Sequence, residues 1–214
     1  PPDYCVDLAT ERYMDFRRDG IFGRLLKIHG SLNWLYCERC KRLDLFVSEG
    51  MRTAKALDEL YYSVPFDDAY SCRGTPCRNR PRCDGFVSPI LITPTYVKDY
   101  ENPHIERVWR EAERAMKEAD RAVIIGYSLP IDDVEVAMLF KRGLDHLPRE
   151  RITVVEYVDG DMRLPADGRT PLEEHPTGRR FRSLFGADLD WHTTGFEGWL
   201  NEQKAAQRFP FADA

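Results

Sequence analysis

The sequence predicts an α/β fold built on a parallel sheet, with a small cysteine-rich module inserted in it. Two observations lead there. After Gly85, short apolar runs alternate with helical periodicity. Before it, residues 31–85 break that rhythm and hold five of the six cysteines. The boundaries this gives are 1–30 and 86–214 for the α/β domain and 31–85 for the insert.

Residues 24–28 (Arg-Leu-Leu-Lys-Ile) read as a short strand ending at His29-Gly30, where glycine permits a sharp turn. Within the insert, Thr53 to Tyr61 reads as a short helix inside an acidic, Tyr-rich stretch from Leu57 to Tyr70. Residues 73–82 are loop-like, with Gly74, Pro76 and Pro81. Phe86 to Ile92 is a short apolar segment broken by Pro89. Asn102-Pro103 is a cap and first-turn pair. It opens a helix with Ile105, Val108, Trp109, Ala112, Met116 and Ala119 on one face. Ala122 to Ile125 is a continuous apolar run, expected to be a strand buried on both faces and stopped by Gly126. A second helix is predicted from about Asp132 to Leu144, and another strand from Ile152 to Val158. Residues 160–178 read as a surface loop, and Arg179, Arg180 and Arg182 as the exposed side of a helix. The tail from Gly195 to about Phe209 reads as a closing helix with Phe196, Trp199 and Leu200 facing inward.

Bulk properties narrow the function classes. Hydrophobic residues at 43% and charged residues at 31% are globular values, which argues against disorder of the whole. A formal charge of −5 gives no global pull toward nucleic acid or anionic membrane. No apolar run approaches the roughly 20 residues of a membrane span, and no secretion signal opens the chain. A reducing, cytoplasmic setting is the natural expectation, and there such a cysteine pattern points to metal before disulfides.

Cys37-Glu38-Arg39-Cys40 is a knuckle: two thiolates two residues apart can grip one tetrahedral ion. The second pair comes from Cys72, Cys77 and Cys83, and spacing leaves the choice between Cys72 and Cys77 open. Four thiolates with no place for water imply a structural zinc site. Cys5 stands apart as a free thiol. Gly126 at the end of an apolar strand, followed by Ser128 and a helix, stands where α/β sheets bind nucleotides, and a plain strand-to-helix turn is the alternative. Glu156, near the end of the next strand, could accept hydrogen bonds from ribose hydroxyls or simply be solvated.

Lys27-Ile28-His29-Gly30-Ser31 followed by Cys37-x-x-Cys40 resembles the sirtuin arrangement, in which a catalytic His-Gly leads into the zinc module. Pro89 to Ile92 is similar to the segment after the last zinc cysteine. Ala119 to Leu129 resembles the sirtuin strand whose Gly-Thr-Ser-Leu end lines the NAD site. The nearer likeness is to the divergent, mostly prokaryotic sirtuin-like branch, through Ile125 to Pro130, Leu184 to Gly186 and Gly195 to Leu200. The likeness covers about residues 24–200. It implies a Rossmann-like sirtuin domain carrying a zinc ribbon, structural Zn2+, and NAD+ as substrate. Gly126, Ser128, Leu129 and Glu156 would then contact NAD, and His29 would be general base in cleavage of the nicotinamide–ribose bond. Water as acceptor makes a hydrolase; acyl-lysine on a protein partner makes a deacylase.

Two departures shape the expectation. Where deacylases carry Phe-Gly-Glu after the corresponding strand, this chain reads Thr93-Pro94-Thr95, which favours hydrolysis. No Gly-Ala-Gly phosphate loop and no Asn-Asp pair precede His29, and Pro1 rather than Met opens the sequence, so a further N-terminal part is expected. The alternatives are a non-catalytic NAD-sensing module and a nucleic-acid-binding zinc ribbon. The latter is prompted by Arg73, Arg78, Arg80 and Arg82, for which a solvated loop is the simpler reading. Self-association is left open by the sequence.

Overall fold

A computed structural model describes residues 24–45, 76–77, 79, 81–92, 102–158 and 173–206. Its elements in chain order are β1 (Gly30–Cys37), β2 (Leu43–Leu45), β3 (Val87–Leu91), α1 (Pro103–Lys117), β4 (Ala122–Ile125), α2 (Val134–Leu144), β5 (Ile152–Val155), α3 (Pro176–Phe185), β6 (Asp190–His192) and α4 (Gly195–Ala205). Two compact units divide inside α1, between Ala112 and Glu113.

In the first unit, β1 is the centre of an antiparallel sheet of order β2-β1-β3. Its side chains alternate between two different clusters, as the strand period of two requires. Trp34 and Tyr36 join Leu43, Ile90, Ile105 and Val108 in one core, the last two from α1. Leu35 and Cys37 join Val87, Cys77 and Cys83 in another. The strand after Gly85 therefore pairs with the strand that leads into the cysteine knuckle.

The start of α1 follows from its cap. Asn102 Oδ1 accepts the backbone N–H of His104 at 3.0 Å and of Ile105 at 3.4 Å, and Pro103 has no N–H to satisfy. Of the predicted apolar face, Ile105, Val108 and Ala112 are buried.

The expected strand over 24–28 is not formed. Residues 28–29 are a turn closed by Gly30 N–H donating to the Lys27 carbonyl at 2.9 Å, and the strand starts at Gly30 instead. Gly30 has φ +77°, and a Cβ there would lie 2.4 Å from the Ile90 carbonyl oxygen, so only glycine fits. Gly30 pairs with Leu91, and ahead of it the His29 carbonyl still accepts the Ile92 N–H at 2.9 Å, so the turn is tied to the end of β3.

The second unit holds a parallel sheet of order β4-β5-β6, with Ile124, Val154 and Trp191 in one row. They pack with Leu129, Leu144, Phe181 and Phe185 from the β4–α2 turn, α2 and α3. Within this sheet the strand buried throughout is β5, not β4. β4 pairs with β5 on one side, and its Val123 and Ile125 are 39% and 43% exposed, which corrects the expectation of burial on both faces.

α4 closes the unit with Trp199 buried, but Phe196 is 52% exposed, contrary to the inward face read for it. α3 begins at Pro176, inside the stretch read as loop, with proline in its first turn. The three-residue strand β6 has no counterpart in the sequence reading. The predicted helix from Thr53 to Tyr61, Thr93 to Thr95, Cys5, Cys72, Arg73, Arg78 and Arg80 lie outside the described residues. Among the described residues, no helix is long and apolar enough to cross a membrane.

Candidate functional site

Two turns bring four sulfurs together. The first leaves β1 at Cys37: Lys41 N–H donates to the Cys37 carbonyl at 2.8 Å, and Cys37 N–H to the Arg42 carbonyl at 2.9 Å. Lys41 closes this turn in the left-handed region, φ +59°. The second turn lies in a hairpin-like return. Pro76 and Phe86 form an antiparallel bridge, Cys77 N–H donates to the Gly85 carbonyl at 2.9 Å, and Cys83 N–H donates to the Asn79 carbonyl at 3.0 Å.

The Sγ atoms of Cys37, Cys40, Cys77 and Cys83 all lie within 4.8 Å of one another. Cys37 and Cys83 are 3.8 Å apart, and Cys40 and Cys77 are 3.5 Å apart. Four sulfurs at about 2.3 Å from a tetrahedral ion would be about 3.8 Å from each other, so the cage has the dimensions of a zinc site. The structure thus brings Cys77 together with the other three; Cys72 lies outside the described residues.

The backbone around the sulfurs suits thiolates. Asn79 N–H donates to Cys77 Sγ and Gly85 N–H to Cys83 Sγ, each at 3.4 Å. Burial opposes ionisation of Cys40, but the Arg42 backbone N–H and the Cys77, Cys37 and Cys83 side chains outweigh it and bring that thiol down to about 7. Burial, reinforced by the Cys40 contact, pushes Cys77 up to about 12 despite the Asn79 N–H. Cys83 has the Gly85 N–H in its favour, yet burial and the Cys37 and Cys40 thiols raise it. Cys40 is thus the readier to ionise while Cys77 and Cys83 resist, and a divalent cation among the sulfurs would favour thiolates.

Gly85 is fitted to the cage. A Cβ on it would sit 2.8 Å from Cys37 Sγ and 3.3 Å from Cys83 Sγ. Arg39 and Asp84 join the two turns on the outside at 2.9 Å, an exposed ion pair of small energetic weight.

His29 occupies the turn ahead of β1, in the same unit. Its carbonyl accepts Ile92 N–H at 2.9 Å, and its ring lies 6.4 Å from that of Trp109. Trp109 Nε1–H donates to the neighbouring Ile28 carbonyl at 2.7 Å. Sequence reasoning places Trp109 only on the apolar face of α1, because its partners here lie far away along the chain.

In the second unit, the other candidate residues meet at the carboxyl edge of the parallel sheet. Gly126 N–H donates to the Val155 carbonyl at 3.0 Å, which sets the β4–α2 turn beside Glu156 at the end of β5. Gly126 has φ +62° with nothing within 4 Å of where a Cβ would be, so it faces open space. Leu129 is buried with φ +51°, a left-handed conformation that costs a non-glycine residue on the order of 1–2 kcal/mol. Two contacts hold this turn: Tyr127 Oη–H donates to the buried Asp133 Oδ2 at 2.7 Å, and Arg180 Nε–H to the Ser128 carbonyl at 2.8 Å. Burial, then the Asp133 hydrogen bond, raises the Tyr127 phenol and keeps it a donor. One Glu156 oxygen accepts the Tyr157 backbone N–H at 3.1 Å.

Neither a protein-family model nor a curated protein matches the sequence. Among solved structures, the chain is similar to a Sir2 structure with p53 peptide and NAD+, at 14% identity and TM-score 0.41, over 90% of this chain and 59% of that one. It is similar to Sir2 in complex with the inhibitor EX-527, 2'-O-acetyl-ADP-ribose and deacetylated p53 peptide, at 14% identity and TM-score 0.40, over 86% and 57%. A third, from work on the mechanism and regulation of Sir2 enzymes, has 20% identity and TM-score 0.31, over 62% and 42%. The chain thus spans about half the length of the structures it matches. At these scores they describe a distant likeness and nothing about chemistry.

Proposed function

We propose that this chain is part of a sirtuin-like protein that binds NAD and cleaves its nicotinamide–ribose bond, with water as the preferred acceptor and structural zinc in the thiol cage. The observation that carries this reading is the turn from Gly126 to Leu129. Gly126 and Ser128 are exposed there, at the carboxyl edge of a parallel sheet where α/β folds take nucleotides, beside a carboxylate at the next strand end, while Leu129 turns into the core and supports the turn from beneath. The order of His29-Gly30 and then the four-sulfur cage supports it, because that is the sirtuin order of parts.

Each residue would have a defined task. Gly126 lets the ligand approach the backbone, and Ser128 offers a hydroxyl to ribose or phosphate. Glu156 has oxygens for ribose hydroxyls. His29 takes a proton from the attacking water as its oxygen bonds to the ribose C1′ and the C1′–nitrogen bond breaks, so that nicotinamide leaves neutral. Zinc, when bound, fixes the module and takes no part in the reaction. Deacylation would use the same first bond cleavage with an acyl-lysine partner, and Thr93-Pro94-Thr95 in place of Phe-Gly-Glu speaks for water. A cytoplasmic setting belongs to the same proposal, because a reducing compartment keeps thiols available for metal.

The test is nicotinamide release from NAD by the full-length protein, with H29A beside it. Loss of about 100-fold or more in rate is expected for H29A, the scale of general-base catalysis. No release by intact protein removes the enzyme reading; saturable NAD binding without release would then make it a sensor.

A further inference from the structure

α1 touches both the turn that carries Cys37 and Cys40 and the turn that carries His29. At its first turn, His104 Nε2 lies 3.0 Å from the Lys41 carbonyl, the residue that closes the Cys37–Cys40 turn. A carbonyl only accepts, so this nitrogen carries the proton. The same ring meets Tyr36 edge-on at 5.8 Å, and Tyr36 immediately precedes Cys37 in β1. Five residues further along the helix, Trp109 donates to the Ile28 carbonyl at 2.7 Å and lies beside the His29 ring. Between them Ile105 and Val108, both fully buried, anchor the helix on Trp34, Tyr36, Leu43 and Ile90.

These contacts join two places that the sequence keeps apart. Lys41 holds a left-handed conformation that an L-residue adopts at a cost, and it does so where its N–H also fixes the Cys37 carbonyl. A donor on the Lys41 carbonyl favours that conformation, and with it the spacing of Cys37 and Cys40. At the far end, the indole N–H holds the carbonyl of the residue next to His29. A helix with a packed face moves as a body, about 7.5 Å of rise separating the two contacts.

We propose that α1 is a strut that couples the order of the metal cage to the position of His29, with His104 and Trp109 as its two positioning residues. The use of His29 as base rests on the NAD-cleaving reading; the coupling does not. It gives the zinc module a part in the site it precedes, beyond holding itself together.

Two measurements on the zinc-loaded full chain test it: the rate of zinc release to a chelator, and the His29 ring C–H signal in NMR, assigned by its loss in H29Q. H104A should speed zinc release about three- to tenfold, the weight of one hydrogen bond, and should shift the His29 signal. H104Q, which retains an N–H donor, should recover most of both. W109F, which keeps a ring but loses the donor, should move the His29 signal while leaving zinc release within about twofold of the parent. Zinc release unchanged in H104A, or a His29 signal unmoved by H104A, overturns the strut. If H104A does not fold, H104Q and W109F decide alone: the His29 signal must move in W109F and stay close to its place in H104Q. Neither readout involves NAD, so absence of nicotinamide release and failure of the coupling are told apart.

Discussion

Replacing Gly85 by alanine adds one methyl group at the tightest point of the cage. That carbon would lie 2.8 Å from Cys37 Sγ, 3.0 Å from Arg39 Cβ and 3.3 Å from Cys83 Sγ. Ordinary contact is about 3.5–4.0 Å, so two of the three contacts are closer by half an ångström or more. Cys37 is 0% exposed and Cys83 5%, which leaves little room for either sulfur to retreat, and a bound ion would fix both at about 2.3 Å. Gly85 does not sit in the left-handed region, so the backbone itself accepts alanine and the effect is steric. Overpacking of this kind costs about 1–3 kcal/mol. If that strain falls on the metal-bound state, zinc affinity drops roughly 5- to 150-fold. Competition against a chromophoric chelator reads this directly. An affinity for G85A within about twofold of the parent would refute the geometry of the cage.

Three other outcomes follow from the second unit. Gly143→Ala should destabilise by about 1–3 kcal/mol in urea unfolding although alanine favours a helix by about 1 kcal/mol, because its Cβ would lie 2.6 Å from Met116 Cβ; a stabilised variant contradicts this. Tyr127→Phe removes the hydroxyl donor from the fully buried Asp133 and should cost about 1–3 kcal/mol, while an unchanged denaturation midpoint would mean the turn after β4 does not depend on it. Glu113 accepts from Lys117 at 2.7 Å and from Arg142 at 3.2 Å, and the first contact, then the Arg142 charge, lowers its pKa against desolvation. A folded pKa below the unfolded one means a contribution complete above about pH 4.5 and lost as pH falls through the folded value. The stability gap between E113Q and the parent should therefore shrink in acid, and a gap that stays constant from neutral to acid pH rules out this linkage.

What the sequence disclosed depended on whether the signal was local. The start of α1 was legible because Asn102 and Pro103 act on the N–H groups next to them. The knuckle at Cys37 and Cys40 was legible because its two ligands lie on one turn. The fourth ligand was not. Cys77 joins the cage through the Pro76–Phe86 bridge and the Gly85 carbonyl, pairings that spacing does not encode. Gly126 follows β4 directly, as read, and Glu156 follows β5, whose strand stops at Val155 rather than running on to Val158. An apolar run such as Ala122 to Ile125 does not say on how many sides a strand is covered; among the described residues it is Ile152 to Val155 that lies between two strands. Residues 24–28 read as a strand because an apolar run leads up to a glycine turn. Gly30, pressed against Ile90 at φ +77°, decides instead that the chain turns before the sheet begins. Asp190 to His192 carried no apolar run and escaped notice, since three residues suffice only when a neighbouring strand is already there to pair with.

The most direct measurement is zinc content with X-ray absorption at the zinc edge on the folded chain, for the parent, C72S and C77S. The account predicts about one zinc per chain surrounded by four sulfurs at about 2.3 Å, kept in C72S and lost or loosened in C77S. Folded parent protein with well under half an equivalent of metal, or full sulfur coordination surviving in C77S but not in C72S, would contradict it.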